Sequence, residues 1–445
     1  MTTTSILRTY FLRSFGCQMN DHDAERIRAL LEGRGLVRVS SLDDADVIVY
    51  NTCTVRHSAD DRFAGQLGEA ARVKALDPER VVVVAGCLPQ VEREALFERF
   101  PFVDVAVGPQ HLAELPRALA DRGQPAGQPA GYFDGEGGLS GELPAHRERP
   151  FQAWVQVMSG CTNDCTYCIV PQARGPEQSR AAASIEAEVR DLVADGVLEV
   201  TLLGQNVNSY GADLRGNGDR PSFAGLLQRL DVIEGLRRTR FTTSHPRDLS
   251  DELIAAMADL PTVCEHLHLP AQSGADGVLE RMGRGYTMDW YLERVEAVRK
   301  AVPDIAITTD LMVGFPGETD ADFEATLRLV EAVGFDAAFT FVYSPRPGTV
   351  AAEMPDQVPV AVARERIERL VTATQAQARA RRSAVVGSSV EVLVEGASRH
   401  GALWRGRDRQ NVTVNFEGAA SPGELVDVLV TGSTSTTLRG RHVEG

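Results

Sequence analysis

Hydrophobic residues in the first 110 positions come in short, β-branched runs separated by longer stretches of helical period. Tyr10-Phe-Leu-Arg-Ser-Phe15, Asp46-Val-Ile-Val-Tyr50, Val81-Val-Val-Val-Ala85 and Phe102-Val-Asp-Val-Ala-Val107 predict four strands. A helix is expected from Asp21 to Leu36, with further helical stretches between the later strands. Apolar strands joined by helices of this length predict a parallel sheet covered on both faces. The pattern then lapses. Residues 121–149 contain Gly123-Gln-Pro-Ala-Gly-Gln-Pro-Ala-Gly131, a composition expected of a linker.

A longer alternation begins at Phe151. Strands are expected at Trp154–Met158, Glu199–Leu203, Arg240–Ser244, Val263–Leu269, Ile305–Thr309 and Ala337–Tyr343. Ser184–Ala194, Asp289–Ala301 and Ala321–Val333 carry helical periodicity between them. Six strand–helix units predict a partial (βα)6 barrel, open on one side, whose working face lies at the strands' C-terminal ends. Pro359 to Arg382 reads as one long helix with Ile367, Leu370 and Val371 toward a core. After Gly387 the period falls to two, in Ser389–Glu395, Val412–Phe416 and Glu424–Val430, which predicts a small β-barrel. The fold class expected is therefore α/β: an open parallel α/β domain over 1–120, a linker over 121–149, a partial barrel over 150–382 and a β-barrel over 383–445. A length of 445 residues suits such a division, since a single core rarely grows beyond about 250–300 residues.

Composition narrows the class. The 43% hydrophobic and 24% charged content is that of an ordinary globular protein. No apolar run approaches the roughly 20 residues of a membrane span, and Met1 to Tyr10 lacks the apolar core of a signal peptide. A cytoplasmic protein with no membrane partner is expected. A net charge of −16 argues against broad polyanion binding. It leaves room for a local basic surface, and Arg399, His400, Arg405, Arg407 and Arg409 supply one around Trp404, extended by Arg381 and Arg382.

The cysteines carry the chemistry. Cys161, Cys165 and Cys168 form a C-x3-C-x2-C triad, three thiolates where a cubane iron–sulfur cluster has four corners. A missing fourth ligand leaves one iron open, as catalytic metal sites keep a position free. Structural zinc wants four closed ligands, and seven cysteines in 445 residues are too sparse for a disulfide framework. Cys17, Cys53 and Cys87 each fall one to three residues past the end of a predicted strand, one strand–helix unit apart. Ligands of open α/β sheets bind outside the strands' carboxyl ends, so these three are expected to converge as a second three-thiolate site. The competing reading is three small buried residues, the role expected of the seventh cysteine, Cys264.

Further motifs stand around these cysteines: Phe15-Gly-Cys-Gln-Met-Asn20, Asn51-Thr-Cys-Thr-Val-Arg56, Gly86-Cys-Leu-Pro-Gln90, Val170-Pro-Gln-Ala-Arg-Gly-Pro-Glu-Gln-Ser-Arg180, Leu203-Gly-Gln-Asn-Val-Asn-Ser-Tyr-Gly211, Ser244-His-Pro246, His266-Leu-His-Leu-Pro-Ala-Gln-Ser-Gly274, Asp310-Leu-Met-Val-Gly-Phe-Pro-Gly-Glu-Thr319 and Tyr343-Ser-Pro-Arg-Pro-Gly-Thr349. Through them the sequence resembles the radical S-adenosylmethionine (SAM) methylthiotransferases over nearly its whole length. Within these it is most similar to the tRNA-2-methylthio-N(6)-dimethylallyladenosine synthases, the MiaB type. Ser14 and Gly283 depart from the family pattern without touching a cysteine.

The resemblance implies a methylthiotransferase domain, a radical-SAM barrel and a TRAM barrel that grips tRNA. It implies two [4Fe-4S] clusters. The one on Cys161, Cys165 and Cys168 would cleave SAM to a 5′-deoxyadenosyl radical, and the one on Cys17, Cys53 and Cys87 would hold the sulfur to be transferred. Two SAM are used per product, and the target is carbon 2 of N(6)-(dimethylallyl)adenosine at position 37, in the anticodon stem-loop. An electron donor such as flavodoxin or ferredoxin, a sulfur donor and a monomeric state are expected. For SAM, Tyr167 is expected beside the adenine, Gly204, Gln205, Asn206 and Gly314–Gly317 along the molecule, and Arg174 and Arg180 on the carboxylate, which a guanidinium suits. Ser244 and His245 are expected to meet SAM or the base, and His266 and His268 the substrate or the core. Arg399, Arg405, Arg407 and Arg409 are the tRNA-binding candidates. The alternatives are a methylthiotransferase for threonylcarbamoyladenosine in tRNA or for a ribosomal protein, and a non-catalytic tRNA-binding protein with structural clusters.

Overall fold

Valine fills positions 81–84 without interruption, and all four are buried, as the middle strand of a two-faced parallel sheet requires. The computed structural model describes residues 7–54, 57–121, 129–134, 137–214, 221–399 and 401–443. Among these residues β1 (Thr9–Ser14), β2 (Val37–Arg38), β3 (Val47–Thr52), β4 (Val81–Gly86), β5 (Val105–Val107) and β6 (Ala130–Tyr132) form one sheet in the order β2-β1-β3-β4-β5-β6. Every pairing is parallel. Val47, Val49, Val81 and Val83 pack on one face under α1 (Gln18–Glu32). Ile48, Tyr50, Val82 and Val84 pack on the other under α2 (His57–Leu76). The two faces alternate because side chains in a strand have a period of two. The short helices α3 (Cys87–Glu92), α4 (Ala95–Arg99) and α5 (Leu115–Asp121) complete the covering.

Ala130–Tyr132 lie within the stretch expected as linker, yet they add the sheet's last strand. An edge strand needs only backbone partners on one side, so Gly- and Ala-rich composition did not announce it. Residues 122–128, and the end of the Asn51–Arg56 motif at Val55 and Arg56, lie outside the described residues.

The second unit opens with β7 (Gln152–Gln156). A small antiparallel pair, β8 (Met158–Ser159) with β9 (Gln178–Ser179), then brackets the cysteine loop and the short helix α6 (Val170–Arg174). Beyond it come α7 (Ala182–Ala194), β10 (Glu199–Leu203), α8 (Phe223–Asp231), β11 (Arg238–Phe241), α9 (Asp251–Asp259), β12 (His266–His268), α10 (Asp276–Arg281), α11 (Met288–Ala301), β13 (Ala306–Val313), α12 (Asp320–Val333) and β14 (Ala337–Val342). β7, β10 and β11 form one parallel arc and β12, β13 and β14 another, joined by a bridge between Thr239 and Val263. Val155, Leu202 and Ile307 face the helices in one large core. The residues between them, such as Trp154, Thr201, Arg240 and His266, line a polar lumen.

Helix α13 (Val360–Ala384) leads into a closed barrel of β15 (Ser389–Ala397), β16 (Trp404–Asp408), β17 (Thr413–Glu417), β18 (Leu425–Ser433) and β19 (Thr437–His442). β16 and β19 carry so many charges that alternation did not reveal them. Gly406 in β16 is required, since a Cβ there would run into the Leu393 carbonyl. Two arginines of β11 seat this barrel. Arg238 donates to Glu391 Oε1 (2.8 Å) and to the Arg407 carbonyl (2.9 Å). Arg240 donates to the carbonyls of Asp408 (2.6 Å) and Arg409 (2.8 Å). Glu199, buried, accepts from Arg240 at 2.9 Å.

Candidate active site

β1, β3 and β4 are neighbours pointing the same way, so the residues that follow them emerge side by side. Those residues are Cys17, Cys53 and Cys87. Cys17 caps the N-terminus of α1, and its thiol donates to Asn20 Oδ1 at 3.4 Å. Cys87 is the first residue of α3. Two glycines let the turns close: Gly16 has φ +139° and a Cβ there would lie 2.5 Å from Cys53 Cβ, while Gly86 has φ +97° and would meet Asn51 Oδ1 at 2.7 Å. A hydrogen bond with Cys53 lowers the Cys17 thiol to about 6 against the opposing effect of burial, with Arg174 adding to the lowering. Burial pushes Cys87 up, and Arg174 opposes it. The three distant cysteines thus share one place, with a cation among them.

That cation comes from the second unit. Arg174 ends α6, six residues beyond Cys168, and donates to Asp23 Oδ2 of α1 at 2.8 Å. This corrects the expectation of Arg174 on the SAM carboxylate: its guanidinium lies instead against Asp23, Cys17 and Cys87. Arg180 is likewise committed, to the Gln156 carbonyl (2.8 Å) and Glu188 (2.5 Å).

The second triad sits in the loop between β8 and α6, at the C-terminal end of the first barrel strand. Gly160, at φ +77°, admits the Pro176 carbonyl where a Cβ would be. The Cys161 amide donates to the Gly175 carbonyl at 3.1 Å, and the Cys168 amide to the Cys165 carbonyl at 3.0 Å. The C-terminal end of α10 clamps the loop through Thr166, whose amide donates to the Met282 carbonyl (3.0 Å) and whose hydroxyl donates to that of Arg281 (2.9 Å). Gly283, one of the two departures from the family pattern, has φ +70°, and a Cβ there would press on the Asp164 carbonyl at 2.6 Å. Burial raises Cys161 to about 11 and Cys168 to about 12, and the neighbouring Cys165 adds to both.

Sequence reasoning missed Arg284. It is buried, donates to Cys165 Sγ at 3.4 Å and to the Pro270 carbonyl at 3.0 Å, and stands 3.5 Å from the Tyr167 hydroxyl. The only signal for it was a lone arginine between two glycines, Gly283 and Gly285, both at positive φ.

The chemistry of these donors fits iron–sulfur clusters. No two cysteines are joined in a disulfide. Among the described residues no three His, Cys, Asp or Glu side chains gather about one point as a single metal ion needs. A cubane needs no such point, because each thiolate binds a different iron at a corner. Beside the second triad, the strand ends present polar atoms that the protein leaves without partners. Gln205 Oε1, Asn206 Oδ1, Ser244 Oγ and His245 Nε2 are buried and unbonded, where buried polar groups are normally satisfied. Thr243, between β11 and Ser244, is held at φ +73°, a strain that clusters at functional sites. Such a set fits a polar molecule such as SAM. Gly204 packs on Met158, where a Cβ would lie 2.5 Å from Cγ. Tyr167 lies edge-on to Phe315, their ring centroids 6.4 Å apart.

A cavity of about 400 Å³ joins the three units. Gln18 and Asp21 of α1, Trp154 and Thr201 of the barrel, and Arg407 and Asn411 beyond it are among its lining residues. The basic candidates at the C-terminus divide. Arg399 is exposed, and His400 lies outside the described residues. Arg405 and Arg407 share the buried Glu395. Arg409 is bound to Glu265 and the Val263 carbonyl, and Arg381 and Arg382 are bound to Asp336. Arg439 and Arg441 of β19 are exposed and were not foreseen.

Known proteins share this architecture. Residues 9–108 match the uncharacterized protein family UPF0004, residues 155–330 the Radical SAM superfamily and residues 384–443 the TRAM domain. The tRNA-2-methylthio-N(6)-dimethylallyladenosine synthase of Acidothermus cellulolyticus is 48% identical over 98% of this chain and 88% of its own. That of Moorella thermoacetica is 46% identical over 98% and 99%. The chain belongs to this family of radical-SAM methylthiotransferases. Among solved structures, the radical SAM methyltransferase TsrM from Kitasatospora setae, with cobalamin and a [4Fe-4S] cluster bound, aligns at a TM-score of 0.57 and 17% identity. It covers 78% of this chain and 77% of its own, a likeness of fold. Membership of the family makes this protein a radical-SAM enzyme that uses SAM and an iron–sulfur cluster. Among the described residues no helix is long and apolar enough to cross a membrane.

Proposed function

We propose that this enzyme methylthiolates carbon 2 of N(6)-(dimethylallyl)adenosine at position 37 of tRNA, with two [4Fe-4S] clusters and two SAM per product. The observation that carries the reading is the pair of three-cysteine sites, Cys17, Cys53 and Cys87 in one unit and Cys161, Cys165 and Cys168 in the next. The relatives named for this reaction extend over nearly the whole chain. Carbon 2 bears a hydrogen that no side-chain base removes, so the reaction needs a cofactor while the protein supplies position and electronics. When bound, the clusters supply reductive cleavage of SAM at the second triad and the sulfur to be transferred at the first.

The chain's own residues do the rest. Gln205, Asn206 and Ser244 offer the buried polar atoms that SAM would satisfy, and Tyr167, held against Phe315, is the residue that would lie beside its adenine. Arg284 places a positive charge against Cys165. The cavity between the units, lined by Trp154 and Thr201, is of a size that accepts a nucleoside. Arg399, Arg439 and Arg441 are the exposed cations of the C-terminal barrel that phosphates of the anticodon stem-loop would meet. The N-terminal sulfur-holding unit is 1–120 extended by Ala130–Tyr132, the radical-SAM unit 150–382 and the tRNA-binding unit 383–445. The enzyme works as a cytoplasmic monomer, with an electron donor such as flavodoxin or ferredoxin and a separate sulfur donor.

Anaerobic reconstitution with prenylated tRNA, SAM and reductant, followed by mass spectrometry of nucleosides, tests this. The 2-methylthio derivative of the prenylated adenosine should appear, and Cys17→Ala should abolish it while SAM cleavage persists. Product from threonylcarbamoyladenosine alone, or a modified ribosomal protein alone, would transfer the chain to another branch.

A further inference from the structure

We infer that Arg174 is the counter-charge of the Cys17, Cys53 and Cys87 site, supplied to it by the radical-SAM unit, and that Arg174 and Asp23 together set the charge this site carries. The inference rests on the proposed second cluster and extends it.

Arg174 is 4% exposed and Asp23 is fully enclosed. A guanidinium at such depth persists only where anions and hydrogen bonds compensate its lost hydration. Asp23 provides one anion, at 2.8 Å. Its other oxygen is engaged by the Ser140 hydroxyl at 2.9 Å and lies 3.3 Å from His22 Nδ1. The remaining face of Arg174 reaches the Cys87 thiol and the field of Cys17. Asp23 is thus the carboxylate that the arginine holds before any cluster binds. Three thiolates around a cubane add negative charge at the very face the guanidinium presents, and hydrogen bonds and net charge are the means by which a protein sets a cluster's potential.

The backbone holds this cation in place from both sides. The Arg174 carbonyl accepts from Gln110 Nε2 of the N-terminal unit at 2.8 Å. The next carbonyl, of Gly175, accepts from the Cys161 amide at 3.1 Å. Helix α6 thus runs from one cysteine site to the other, beginning two residues after Cys168 and ending in Arg174. Buried polar groups around Gln156 fix its approach: the Gly141 amide donates to Gln156 Oε1 at 2.7 Å, and Arg180 holds the Gln156 carbonyl.

The test is an EPR-monitored redox titration of the anaerobically reconstituted holoenzyme, with iron counted per chain. The two signals are assigned by their loss in Cys17→Ala and Cys161→Ala proteins. Arg174→Gln should move the midpoint of the Cys17 cluster to more negative potential and leave the Cys161 cluster in place, with Arg174→Lys partly restoring it. Asp23→Asn, which unmasks the arginine, should move the same midpoint the other way. Unchanged midpoints in a two-cluster Arg174→Gln protein, or shifts of one sign in both Arg174→Gln and Asp23→Asn, overturn the inference. Should Arg174→Gln fail to take up the Cys17 cluster, Asp23→Asn decides alone: a midpoint unchanged or moved to more negative potential overturns the inference. A wild-type protein with a single cluster would instead remove the proposed function on which the inference rests.

Discussion

Arg240→Met isolates what seats the C-terminal barrel. Arg240 and Glu199 are 5% and 4% exposed. Methionine keeps the volume but deletes the pair with Glu199 at 2.9 Å and the bonds to the carbonyls of Asp408 and Arg409. Glu199 would keep Arg238 at 3.7 Å and the Gln152 amide at 2.7 Å, so it is left weakened rather than bare. Removing one partner of a buried ion pair costs about 3–5 kcal/mol, and each carbonyl left without a donor about 1–3 kcal/mol. These costs overlap and Arg238 softens them, so we expect a net loss of about 3 kcal/mol for docking of the barrel. At about 1.4 kcal/mol per tenfold, the undocked population rises roughly a hundredfold. Hydrogen exchange at β15 and β18 and limited proteolysis near Ala384 both read that population. The double variant Arg240→Met, Glu199→Gln should recover at least about 1 kcal/mol, because the carboxylate is no longer left in need of a cation. Exchange within threefold of wild type, or no recovery in the double variant, would show that these side chains do not hold the barrel.

Gly160→Ala should cost about 1–2 kcal/mol for the positive φ alone, with the Pro176 carbonyl in the way besides, and should halve the iron per chain; full iron content would refute the fit of that loop. Ser244→Ala should raise KM for SAM while changing folding stability by less than about 0.5 kcal/mol, since its hydroxyl has no protein partner to lose; a drop in Tm at constant KM would make the residue structural. Gln substitution of Arg399, Arg439 and Arg441 together should weaken tRNA binding and flatten its salt dependence by about one unit of slope for each phosphate no longer neutralised, whereas Arg409→Gln should act mainly on stability through Glu265. An unchanged salt slope in the triple variant would place the tRNA elsewhere. Burial holds His22 and His266 neutral, at about 4 and about 3. The unfolded chain protonates both below about 6.5 before the folded one does, so stability of the cluster-free protein should fall between pH 6.5 and 4, by at most about 1.4 kcal/mol per unit for each histidine. Asp21, raised to about 6 by desolvation and the charge of Cys17, is protonated first in the folded state, but it is exposed and solvent screening leaves it only a small offset. A higher urea midpoint at pH 5 than at pH 7 would contradict that sign.

The order of strands, the helices between them and the division into α/β sheet, open barrel and closed barrel were legible in the chain, because burial imposes a period of two or of 3.6 on residues near one another in sequence. The meeting of Cys17, Cys53 and Cys87 at one sheet edge was legible because parallel strands end on one edge, so position after a strand stands in for position in space, whereas Cys161, Cys165 and Cys168 stand together in one loop by their spacing alone. Tertiary structure alone decided what has no period. β6, β16 and β19 are held by backbone hydrogen bonds that any composition provides. Arg174, Arg180, Arg284 and Arg409 look alike as letters, and only the assembled units show which cysteine, carboxylate or carbonyl each one reaches. A charge buried between distant segments is specified by all of them at once, and for that reason no local stretch of sequence records it.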